Sequence, residues 1–109
     1  MNGHAPLLLV RARPKAGAAD RFARWFRQVH LADAAAIPGF TQVRAGRTAA
    51  GTWLGIYTFE SAESVQVTLA SPEAAYARGT WEQWAGELEE LQMEMFAPLV
   101  PLPIYESRS

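Results

Sequence analysis

The chain contains no cysteine, a single lysine and only two histidines among its 109 residues. Without thiols, disulfides, thiolate nucleophiles and cysteine-ligated metals are all excluded. His4 and His30 stand far apart, with no His-x-x-x-His pair and no carboxylate cluster at ligand spacing, so no metal site is expected. Neither a Gly-x-Gly-x-x-Gly turn nor a P-loop occurs, and the expected complement of cofactors is none. Charge of one sign is missing too. The formal net charge is −1, which gives no overall field to attract nucleic acid or an anionic membrane surface. The apolar run over residues 5–10 is too short for a signal sequence or a membrane span, and Met1-Asn2-Gly3-His4 ahead of it is not basic. A cytoplasmic location is expected.

What remains is an ordinary globular composition, 50% hydrophobic and 19% charged, in a length that holds one domain and no second core. Leu7-Leu8-Leu9-Val10 reads as a strand covered on both faces and stopped by Arg11-Ala12-Arg13-Pro14. A helix is expected over residues 18–36, with an apolar stripe of Phe22, Trp25, Phe26, Val29 and Ile37, ended by Pro38-Gly39. Two strands follow, over residues 40–47 and 52–60, with a hairpin connection at Thr48-Ala49-Ala50-Gly51. The second carries Trp53, Gly55, Tyr57 and Phe59 on one face and Leu54, Ile56 and Thr58 on the other. Both faces are too apolar to meet water. Residues 62–70 and 73–78 read as helical pieces separated by Ser71-Pro72. Thr80 resembles an N-cap, with Gln83 completing a capping box, and Trp81, Trp84, Leu88, Leu91 and Met95 recur at helical period, which predicts a further helix. Residues 96–105 are the expected last strand, at a sheet edge because Pro101 and Pro103 remove amide donors.

This order, β-α-β-β-α-β, predicts an α+β fold of ferredoxin-like topology: a four-stranded antiparallel sheet with helices on one face. Helices on one face leave the other uncovered, so the aromatic face of Trp53, Tyr57 and Phe59 is expected to become the core of a two-fold homodimer.

The segment Phe22-Ala23-Arg24-Trp25-Phe26-Arg27-Gln28-Val29-His30-Leu31, followed by Ile37-Pro38-Gly39-Phe40, resembles the dimeric α/β-barrel superfamily, and within it the EthD (ethyl tert-butyl ether degradation) family. Trp25-Phe26, His30 and Ile37-Pro38-Gly39 hold the places of that family's paired bulky residues, helical histidine and proline-glycine turn. The resemblance implies two sheets packed face to face across a two-fold axis and a ligand cavity between sheet and helices. Proteins of this fold include cofactor-independent monooxygenases, polyketide cyclases, isomerases, haem-handling enzymes and chains with no known activity. What is implied is therefore a small-molecule enzyme or a binding protein for a hydrophobic or aromatic compound, or else a non-catalytic binding or interaction module, because fold alone decides no chemistry.

His30 is the residue to single out. It lies one turn before Asp33, so imidazole and carboxylate can meet at i, i+3 and raise the imidazole's basicity, which suits a general base acting on a phenol or an acidic carbon. The alternative is a boundary histidine bonded to backbone. Asp33 projects into the apolar sector, where an unpaired carboxylate is costly, so the helix is expected to end before it, unless a cation pairs with it or it borders a wet cavity. Tyr57 is a candidate proton donor or carbonyl-oxygen partner. Phe26 and Trp53 are candidate ligand-lining residues, and the resemblance adds His4, since some polyketide cyclases of this fold keep a histidine on the first strand.

Overall fold

A computed structural model describes residues 5–97. It contains β1 (Leu7–Pro14), α1 (Ala19–Trp25), a π-helical turn (Phe26–His30), α2 (Leu31–Ala35), β2 (Phe40–Arg47), β3 (Trp53–Phe59), α3 (Val65–Leu69), α4 (Pro72–Thr80), a 3₁₀ turn (Trp81–Trp84) and β4 (Leu88–Phe96). The four strands form one antiparallel sheet in the order β2-β3-β1-β4, and the helices pack on one side of it. This is the expected α+β, ferredoxin-like arrangement.

The long helix over residues 18–36 is present but not uniform. Its middle turn closes from the Leu31 amide to the Phe26 carbonyl, five residues apart instead of four. Such a turn accommodates one extra residue, so each residue advances by less than the usual angle of about 100°. The consequence is a change of face. Val29, expected in the stripe, is 42% exposed, whereas His30, expected at its flank, is 3% exposed. The helix also continues past Asp33 to Ala35, against the expectation that it would stop earlier.

The expected helix over Trp81 to Met95 does not form. Thr80 is the last residue of α4 and precedes the 3₁₀ turn, but its side chain caps nothing there, its hydroxyl donating instead to the Ala77 carbonyl. One 3₁₀ turn follows; Gly86 then takes a positive φ of 81°, and residues from Leu88 onward run as β4. Leucine, glutamate, glutamine and methionine favour helix locally, but pairing with β1 satisfies a whole row of backbone groups, and tertiary context outweighs propensities of tenths of a kcal/mol. The fourth strand is therefore Leu88–Phe96, ahead of the predicted residues 96–105, most of which lie outside the described residues.

The aromatic face of β3 also differs from expectation. Register places Tyr57 beside Leu8, Gly55 beside Val10 and Trp53 beside Ala12, and this is the face beneath the helices. Tyr57 and Phe59 are buried within the chain, while the opposite face carries Leu7, Leu9, Leu54 and Ile56, all half-buried. The core is strongly aromatic: Phe22 meets Phe26 at 5.7 Å and the edge of Trp84 at 5.0 Å, and Trp25 meets Trp81 at 5.0 Å. Burial of such rings contributes about 2–3 kcal/mol each before any ring geometry is considered.

Candidate functional site

The π turn delivers His30 into the layer between helix and sheet, and β3 delivers Tyr57 to meet it. Imidazole Nε2 and the phenol oxygen lie 2.6 Å apart, in a hydrogen bond whose direction depends on the tautomer. Both side chains are buried, at 3% and 2% exposure. Gly55 makes this possible. The Tyr57 ring leans back along its own strand over Gly55, and a Cβ built there would overlap the hydroxyl and lie 2.7 Å from Cζ. The imidazole is packed between aromatic rings, 5.3 Å from Trp25, 5.1 Å from Phe26 and 4.9 Å from Trp81.

Burial fixes the protonation states. It pushes the His30 pKa down from 6.5 to about 4, and it raises that of Tyr57, so both groups are neutral at pH 7. The raised basicity expected from an Asp33 partner is not found. Among the described residues, His30 Nδ1 and Asp33 Oδ2 are both buried without a hydrogen-bond partner, although the two residues keep their i, i+3 spacing on helical backbone, because the imidazole turns its Nε2 to Tyr57. Asp33 instead borders a separate surface depression with Pro72 and Tyr76.

A cavity of about 230 Å³ adjoins the pair. Its floor is Leu8, Val10 and Tyr57 from the sheet, and His30, Ala34 and Ile37 close one side. Leu69, Ala74, Ala77 and Trp81 close the other, with Phe40, Arg78 and Met93 completing the lining. Arg78 and Met93 are the exposed members and mark its mouth. For scale, a dry cavity of about 150 Å³ holds a benzene molecule, so this space matches a compound of one to two rings.

Of the sequence candidates, the structure brings His30 and Tyr57 together at the cavity. Phe26 supports the imidazole from behind and touches Trp53 at 5.3 Å, and neither lines the cavity. Trp53 lies under the Arg47 guanidinium, 5.6 Å away. His4 lies outside the described residues. The α4 contribution was missed, although Ala74, Ala77, Arg78 and Trp81 follow i, i+3, i+4, i+7 spacing and announce one shared face.

No family model matches the sequence, and no curated protein matches it. Solved structures do resemble the fold. An EthD family protein from Bacillus halodurans superposes with a TM-score of 0.70 at 16% identity, covering 86% of this chain and 99% of that one. A mutant of SnoaB, a cofactor-independent oxygenase from Streptomyces nogalater, gives 0.66 at 17% identity over 93% of this chain and 99% of that one. An antibiotic biosynthesis monooxygenase gives 0.64 at 10% identity, covering 88% and 99%. The chain thus shares the ferredoxin-like fold of these proteins. At such identities the likeness is one of fold.

Proposed function

We propose that the chain is a one-domain small-molecule enzyme or binding protein whose ligand is a hydrophobic or aromatic compound carrying an oxygen atom. The observation that carries this reading is the 2.6 Å His30–Tyr57 bond at the wall of a cavity whose interior is otherwise apolar, with Arg78 at its rim. When Nε2–H donates to the phenol oxygen, the phenol proton is free for a ligand oxygen. When the phenol donates, Nε2 is the acceptor that holds its proton. The pair is thus a neutral donor relay, suited to holding a carbonyl or phenol oxygen and to protonating it as charge develops there. A histidine with a pKa of about 4 is a poor base for a phenol, so deprotonation by His30 is disfavoured. The same low basicity favours a second reading, a non-catalytic ligand-binding module that uses the identical contacts. Homodimer formation belongs to this proposal, through the open sheet face of Leu7, Leu9, Leu54 and Ile56 and not through the aromatic face.

The test is a thermal-shift panel of phenols, naphthols and aromatic ketones on wild type and Tyr57→Phe. Compounds that stabilise wild type should bind Tyr57→Phe about three- to tenfold more weakly, the worth of one neutral hydrogen bond. A panel in which nothing stabilises wild type, or in which both proteins respond alike, rejects the proposal.

A further inference from the structure

The cavity has one charged side chain, and it stands where an apolar one belongs. Ala74 and Ala77 on α4 and Trp81 at the start of the 3₁₀ turn form one buried stripe, and Arg78 occupies its i+4 position, at the mouth. Its guanidinium is held in place, with Nη1 donating to the Leu69 carbonyl at 3.0 Å, at the end of α3. That bond uses one of five N–H donors. Arg11, Arg13 and Arg21 each lie 3.4 Å from a glutamate, whereas among the described residues no carboxylate comes within 4.0 Å of Arg78. An anchored cation without a carboxylate partner among the described residues therefore stands on the rim of a space whose interior offers only apolar atoms and a neutral hydrogen-bonding pair.

We propose that the cavity's ligand is an amphipathic carboxylic acid, its apolar ring system inside and its carboxylate at the mouth on Arg78. This deepens the reading of the cavity given above and rests on it. The interior cannot take the charge: nothing there compensates an anion, and an ion without a partner in apolar surroundings is strongly disfavoured. The mouth can. A guanidinium with free donors binds carboxylate through paired N–H groups, and solvent at the rim keeps the desolvation cost low. Met93, the other exposed lining residue, adds an adaptable apolar contact to the cavity. The ligand thus enters by its ring and is stopped by its acid.

A matched trio tests this: 3-(4-hydroxyphenyl)propanoate, its neutral primary amide, and the cationic 3-(4-hydroxyphenyl)propylamine, each titrated calorimetrically at low salt. Wild type should bind the acid about tenfold more tightly than the amide, and the amine least tightly. Arg78→Gln should erase the acid's advantage while weakening the amide far less than the acid, Arg78→Lys should retain part of that advantage, and Arg78→Glu should place the amine above the acid. Equal binding of acid and amide by wild type overturns the proposal. So does an Arg78→Gln variant that weakens all three compounds alike, because that pattern belongs to an arginine that merely braces α3. Amide binding that survives in every Arg78 variant and falls in Tyr57→Phe leaves the cavity reading standing on its own. Failure of wild type to bind any of the three removes both.

Discussion

Acidification should destabilise this protein through His30, by an amount that a single substitution removes. In the folded chain burial holds the imidazole's pKa at about 4, while in the unfolded chain it returns to about 6.5. As pH falls, the unfolded state takes up this proton before the folded state does, and proton uptake by the unfolded state lowers stability. The contribution is therefore fully present above about pH 6.5, is lost as pH falls towards 4, and is constant below that. At 1.36 kcal/mol per unit of displacement the loss amounts to about 3 kcal/mol. In a domain of this size that lowers the melting temperature by on the order of 15 °C. Carboxylates titrate in the same window, so the quantity to measure is a difference. Urea denaturation of wild type and His30→Leu at pH 7, 6, 5 and 4.2 should show the wild type losing about 3 kcal/mol more than the variant. Proton NMR of the imidazole supplies an independent reading, with the His30 signal still unprotonated at pH 5. Parallel stability profiles, or a His30 signal titrating near 6.5, would refute the argument, and the NMR result decides alone if His30→Leu does not fold.

The remaining predictions follow the same geometry. Gly55→Ala should destabilise by about 1–3 kcal/mol in chemical denaturation, because its Cβ displaces a phenol that is 2% exposed, whereas Gly46→Ala, with open space around its Cα, should change stability by less than about 0.5 kcal/mol. Tyr57→Phe should cost about 1–3 kcal/mol, measured the same way, since it leaves both imidazole nitrogens without a partner. If the chain dimerises through the open sheet face as proposed, wild type should sediment as a dimer and Ile56→Glu as a monomer with its fold intact by circular dichroism; a monomeric wild type at micromolar concentration refutes the dimer.

Element order and fold class were legible because strands and helices here differ in period and are punctuated by Pro14, Pro38-Gly39, Gly51 and Ser71-Pro72. Ser71 does cap α4, accepting from the Ala74 amide at 3.1 Å with Pro72 in the first turn. The β4 region was misread because Leu91 and Met95 satisfy a four-residue helical step as well as a two-residue strand step, and only Met93 between them breaks the tie. His30 and Tyr57 were each legible as candidates, but their pairing was not. It depends on a π turn that no residue type announces and that rotates the helix face by a fraction of a turn. The expected His30–Asp33 pair failed because the imidazole meets Tyr57 under the sheet while Asp33 borders a separate depression with Pro72 and Tyr76.

The orientation of the sheet was available in the sequence, though on β1 and not on β3. Both faces of β3 are apolar, so its alternation identifies two surfaces without saying which lies under the helices. On β1 the two faces differ: Leu8, Val10 and Ala12 carry no charge, while Leu7 and Leu9 alternate into Arg11 and Arg13. A face that continues into arginines cannot be sealed, so the uncharged one must be the core side. Antiparallel register carries that assignment to β3, where Leu8, Val10 and Ala12 stand beside Tyr57, Gly55 and Trp53. Tyr57 then has to point towards the helix that bears His30. The arginine-bearing face, with Arg11 already paired to Glu90 at 3.4 Å, is left with half-buried leucines whose surroundings remain partly polar. That composition suits contact with a second copy far better than it suits a neutral imidazole and phenol, which need the dry side.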